Sequence, residues 1–214
     1  MNTKAVVLGA TGLIGAHLVN ELALSKTVAE VVAITRRPIE YQSKKVTNIV
    51  LDFVQLANSK DAFAGDVFFS CLGTTVGAAG SIQAQRVVDL DYQLQAAKLA
   101  YAQGVDHYIL VSSSGANAKS MSPYLKMKGE LEALVQEIQF KHISIVQPSL
   151  LLGERSESRA GESFAARVMP IVCKLPMLNR YRPISGLEVA QKMVQIAHNP
   201  SHPFERISLD QLFL

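Results

Sequence analysis

Residues 5–15 read AVVLGATGLIG, an apolar Val-rich run with glycines at Gly9, Gly12 and Gly15, and the helical pattern AHLVNELAL follows. A buried strand, a tight turn and a helix N-terminus in that order make a site for a dinucleotide pyrophosphate. Gly9 permits the turn, Gly12 lets the backbone approach the phosphates, and Gly15 lets the helix pack close to the strand. The helix's unpaired N–H groups and positive dipole end then face the anion. A plain strand–helix turn uses the same glycines, so the rest of the chain has to decide.

The second strand, EVVAITR (Glu30–Arg36), arrives about 20 residues further on, where the adenosine ribose is read. Arg36 and Arg37 stand where an acidic residue would bind the ribose 2′-hydroxyl. A guanidinium fork suits a 2′-phosphate instead, which favours NADP(H) over NAD(H). The competing account is a solvated basic turn before Pro38.

At 214 residues with 49% hydrophobic content, the chain is expected to form one domain over 1–214 with a sizeable core. A net charge of +3, with lysines and arginines scattered, calls for neither nucleic acid nor an anionic membrane. The first apolar run is broken by Gly9, Thr11 and Gly12, so it reads as a strand and not as a signal peptide or a membrane span. Cys71 and Cys173 lack CxxC spacing, and the histidines lack zinc-ligand spacing, so no metal is expected. Together these features predict a cytoplasmic protein.

Short apolar strands alternate with helical segments, which predicts an α/β Rossmann-type doubly wound parallel sheet covered on both faces. The further strands are Thr47–Asp52, Asp66–Gly73, His107–Ser114 and His142–Leu151, and a last one runs from Arg206 to Leu214. Helical patterns cover 19–24, 88–103, 124–139 and 186–198, with a short turn near 56–63. Gly104 reads as the glycine that ends the 88–103 helix. From 153 to 182 the pattern loosens into a charged, proline-flanked stretch, read as a small substrate lobe.

In an open α/β sheet, ligands bind beyond the carboxyl ends of the strands. After strand three stand Asp52 and Phe53, read either as flanking the adenine or, for Asp52, as a turn cap. After strand four, Leu72, Gly73 and Thr74 are placed to lie along a cofactor. After strand five come Ser112, Ser113, Ser114 and Gly115, and then Tyr124 and Lys128. Four apart on a helix, these two share one face. A phenol ordinarily ionises near pH 10, but an ammonium one turn away, with a cationic nicotinamide nearby, favours the phenolate. A strand-end serine then holds the substrate oxygen while Tyr124 moves the proton and the cofactor moves the hydride. The same spacing recurs at Tyr41 and Lys45, but that pair has no serines before it and no helix to carry it.

With these residues in view, the chain resembles the short-chain dehydrogenase/reductase superfamily, in its atypical branch with the fingerprint Thr11-Gly12-Leu13-Ile14-Gly15. Within that branch it is most similar to the Tat-interacting oxidoreductase-like proteins and their bacterial relatives. The matching stretches are FSCLGTT (Phe69–Thr75), VDLDY (Val88–Tyr92), LVSSSGA (Leu110–Ala116), YLKMKGELE (Tyr124–Glu132) and GERSESRAGE (Gly153–Glu162). The resemblance implies NADP(H) binding through Gly9, Thr11, Gly12, Leu13, Ile14, Gly15, Arg36 and Arg37. It also implies cofactor contacts at Leu72, Gly73, Thr74, Tyr124 and Lys128, and at Pro148, Ser149, Leu150 and Leu151 near the nicotinamide. Either Ser113 or Ser114 polarises the substrate, with Ser114 the favoured register.

Three functions follow as expectations. The first is an NADP(H)-dependent oxidoreductase acting on a small carbonyl or hydroxyl substrate. The second is an NADPH-binding regulatory module that serves a protein partner, and the third an epimerase or dehydratase of sugar nucleotides. A homodimer would use Leu90, Leu94, Ala97 and Tyr101, although the same stripe equally suits packing on the sheet.

Overall fold

The computed structural model describes residues 2–152 and 182–213. Seven strands form one parallel sheet: β1 (Thr3–Leu8), β2 (Val28–Thr35), β3 (Val46–Val50), β4 (Val67–Ser70), β5 (His107–Val111), β6 (His142–Gln147) and β9 (Phe204–Ser208). Their order is β3-β2-β1-β4-β5-β6-β9, so the chain reverses direction across the sheet between β1 and β4. That reversal opens the crevice in which Rossmann-type sheets bind ligands. A two-strand ladder of β7 (Leu151–Leu152) and β8 (Ile184–Ser185) stands beside it. The proposed lobe at 153–182 lies, apart from Arg182, outside the described residues.

Both sheet faces are apolar because both are covered. On one face Ile14, Leu18 and Leu22 of the α1 segment (helix Gly15–Leu24) meet Val189, Met193 and Ile196 of α6 (Gly186–His198) over Val7, Phe69 and Ile109. The other face is covered by a 3₁₀ segment (Phe53–Phe63), α4 (Tyr92–Ala102) and α5 (Pro123–Gln136). Between β4 and α4 the chain makes two short helices, α2 (Val76–Ala79) and α3 (Ile82–Arg86), and then one wide π-helical turn at Val87–Asp91.

Several expected boundaries are corrected. The expected 66–73 and 107–114 strands stop at Ser70 and Val111, and their last residues turn out into loops over the crevice. The expected 142–151 strand ends at Gln147, and Leu151 joins the separate ladder. The last strand breaks at Leu209, whose φ of 54° leaves extended geometry, and a 3₁₀ turn at Leu209–Leu212 buries Leu212 under the core. Gly104, at φ +81°, does end α4.

Candidate functional site

The glycine loop is built by contacts that a side chain would forbid. Gly9 sits at φ +81°, and a Cβ there would stand 2.7 Å from Leu72 N; at Gly15 it would meet Gly9 O at 2.1 Å. A Cβ on Gly12 would lie 3.3 Å from the same oxygen. Helix α1 opens at Ile14 and Gly15 with no side-chain cap and no acidic residue in its first turn. Its N-terminal amides therefore suit an anion, and the cradle fits a dinucleotide pyrophosphate. Thr11 is exposed at the turn, Leu13 is half-buried, and Ile14 is anchored in the core.

Arg36 and Arg37 are exposed just beyond β2. Asn48 on β3, unremarked in the sequence, fixes the turn that carries them. Its Nδ2 donates to Ala33 O and to Thr35 Oγ1, both at 2.8 Å, and its Oδ1 accepts from Ile39 N at 2.9 Å. Thr35 Oγ1 in turn donates to Arg37 O at 2.7 Å. Asp52 caps its turn by accepting from Val54 N at 3.0 Å, while Phe53 is buried edge-on against Tyr92. The cap reading of Asp52 is thus the one with a visible bond.

Leu72, Gly73 and Thr74 leave β4 directly over Gly9 and are clamped from below. Asp89, buried on the wide turn, accepts from Thr74 N at 2.8 Å, and Gln85 Nε2 donates to Thr74 O at 3.0 Å. Gln93 Nε2 donates to Asp89 O, and Gln93 Oε1 accepts from Ser70 Oγ, each at 2.8 Å. A π turn admits an extra residue into the helix, and here it turns Asp89 toward the loop. The VDLDY stretch held this signal, but only the fold says what Asp89 holds.

Tyr124 is half-buried on the first turn of α5, and Lys128 is 3% exposed one turn on. Burial pushes the Cys71 thiol up to about 12, with the Lys128 ammonium pulling the other way. Cys71 therefore stays a protonated thiol. Ser113 and Ser114 are half-buried after β5, and Ser114 N donates to Pro148 O at 2.9 Å. Pro148 is buried, and Ser149, Leu150 and Leu151 follow it half-buried, with Leu150 O accepting from Ile184 N at 3.0 Å. One more buried carboxylate stands here: Glu132, reached by Ser112, Gln147 and Arg206. It completes an i, i+4, i+8 series with Tyr124 and Lys128, a spacing visible in the sequence.

The competing pair has no helix to align it: Tyr41 and Lys45 both lie in the β2–β3 loop, and Lys45 donates its ammonium to Ser25 O at 2.7 Å. Of the dimer candidates, Leu90 and Ala97 are buried in the chain's own core, and Tyr101 packs edge-on against Phe140. Among the described residues no group of three or more His, Cys, Asp or Glu could hold a metal, and no helix is long and apolar enough to cross a membrane.

Comparison with known proteins adds four findings. A family model described as NAD(P)H-binding matches residues 9–200. The chain is 41% identical over 170 residues to protein HTATIP2 of Rattus norvegicus, covering 78% of this chain and 70% of that protein. It is 40% identical over 157 residues to the mitochondrial protein FMP52 of Candida glabrata, covering 73% and 67%. Among solved structures, MoeE5 in complex with UDP-glucuronic acid and NAD superposes with a TM-score of 0.75 at 18% identity, covering 96% of this chain and 76% of that one. That likeness establishes the Rossmann-type fold. The expected cytoplasmic location is overturned, because the fungal relatives are named mitochondrial proteins.

Proposed function

This chain belongs to the NAD(P)H-binding family, and from that premise we propose that it is an NADP(H)-dependent oxidoreductase of the short-chain type. Its substrate on this reading is a small molecule carrying a carbonyl or hydroxyl group. The observation that carries the proposal is the shared α5 face of Tyr124 and buried Lys128, on a helix bonded through Glu132 to Ser112, the neighbour of Ser113. A cofactor-binding module without turnover has no need of that set.

Bound NADPH supplies the hydride. The glycine loop and the α1 N-terminus hold its pyrophosphate, while Arg36 and Arg37 take the 2′-phosphate. Ser114, or Ser113 beside it, donates to the substrate oxygen. Tyr124 gives that oxygen its proton, and Lys128 steadies the phenolate left behind. Regarding compartment, the names of the fungal relatives favour mitochondria.

Screening small carbonyl compounds for NADPH oxidation identifies the substrate. Tyr124→Phe should then lower kcat by about 10²–10⁴-fold while NADPH affinity holds. Unchanged turnover in that variant overturns the mechanism. Tight NADPH binding with no turnover of any carbonyl points instead to a regulatory module.

A further inference from the structure

Glu132 is 4% exposed and lies on α5 one turn beyond Lys128 and two beyond Tyr124. A carboxylate taken out of water is costly unless its oxygens are matched. Here Oε1 accepts from Ser112 Oγ at 2.5 Å and from Gln147 Nε2 at 2.7 Å, and Oε2 faces Arg206 Nη2 at 3.2 Å. The three partners come from three adjacent strands. Ser112 follows β5, Gln147 ends β6, and Arg206 lies within β9.

Apolar contact alone would hold α5 to the sheet, and Leu131 and Val135 already supply it. Such contact is non-directional and tolerates sliding. The carboxylate does not. A slip of one residue moves a helix about 1.5 Å along its axis, enough to break all three contacts. Ser112 is also the residue immediately before Ser113 and two before Ser114. One carboxylate is therefore bonded both to the helix face of Tyr124 and Lys128 and to the strand end of the serines.

We propose that Glu132 is a positioning residue that fixes the Tyr124–Lys128 face of α5 in register with the Ser113–Ser114 strand end. The inference rests on the reading of the site given above. On that reading Glu132 touches neither cofactor nor substrate, and its effect is confined to the nicotinamide half of the site. The glycine loop and the arginines, on other strands, are left alone.

The test compares NADPH with 2′,5′-ADP, which reaches only the adenosine half. Glu132→Gln keeps the shape and an acceptor for Ser112 and Gln147 but turns an amide toward Arg206. Glu132→Leu removes every acceptor. A displacement of about 1 Å can cost 10²-fold in rate, so Glu132→Leu should lose about that in kcat and Glu132→Gln about tenfold. Both variants should bind NADPH more weakly than the wild type, while 2′,5′-ADP affinity stays within about twofold. If Glu132→Leu does not fold, Glu132→Gln carries the comparison. Equal losses for both ligands, or a Glu132→Gln variant matching the wild type for NADPH, overturn the proposal. Wild-type protein that binds NADPH but reduces nothing sinks the oxidoreductase reading alone, and the ligand contrast still decides the role of Glu132.

Discussion

His107 opens β5 at the amino ends of the strands, opposite the crevice. Its Nε2 lies 2.8 Å from Ser144 Oγ, which donates to Glu205 Oε1 at 2.7 Å. The serine's hydrogen is spent on the carboxylate, so the imidazole must be the donor through Nε2–H. A serine, a histidine and a glutamate in contact suggest hydrolytic chemistry, but here the carboxylate holds the serine and not the imidazole, and Ser144 is fully buried. The role is structural and carries a pH signature. Burial, with His142 beside it, lowers the His107 pKa from 6.5 to about 4. The unfolded chain thus takes up a proton near pH 6.5 that the folded chain refuses until about pH 4, so the stability is whole above that window and drains as pH falls through it. Between pH 7 and 4.5, urea unfolding should show the wild type losing roughly 2–3 kcal/mol more than His107→Gln. Equal losses would mean that His107 titrates normally. At this scale the sequence was legible where local spacing sets geometry, as at Tyr124 and Lys128, which do lie one turn apart on α5. Asn48, Asp89 and Glu132 escaped because a polar group bonded within the fold declares its role through partners elsewhere in the chain.

Helix α5 shows why an element's surroundings matter as much as its own pattern. Gly129 sits one residue after Lys128, and a Cβ there would stand 2.2 Å from Ala118 N and 2.3 Å from Asn117 C. The loop that leaves the strand-end serines therefore lies flat on the helix, and Asn117 N donates to Leu125 O at 3.0 Å. Gly129→Ala must push this loop away. It should cost about 1–3 kcal/mol by thermal unfolding and reduce turnover by at least about tenfold, since the serines move with the loop. A variant with wild-type kcat would detach the loop from the site. The sequence located α5 well because its apolar positions recur at helical spacing. It missed α2, α3 and the π turn because segments of four or five residues are too short to show a period, and their stability comes from caps such as Thr75 and Ser81. It carried the last strand too far because Leu209, Leu212, Phe213 and Leu214 continue its apolar character, and the break at Leu209 is a matter of backbone geometry.

Taken whole, the molecule is a sheet with its proposed site on one rim and its structural histidine on the other. The strand order was implicit in the alternation of apolar runs and helices, since crossover connections leave few alternatives. Cofactor binding should register in global stability by mass action. NADPH at 100 times its Kd should add about 2.7 kcal/mol, or a Tm rise of about 5–11 °C for a domain of this size. With both Arg36 and Arg37 replaced by alanine, scanning calorimetry should find that NADPH and NADH raise Tm alike. A persistent NADPH advantage would place the 2′-phosphate elsewhere. The sheet's order also bears on how the molecule comes into being. Strand β9 follows every other described strand in the chain and among them pairs with β6 alone, yet it brings Arg206 to Glu132. During synthesis the glycine loop and α5 emerge long before that arginine, so a nascent chain can hold the glycine cradle before the α5 face of the proposed site is complete. Competence for chemistry would then be acquired late, as a closing event of folding.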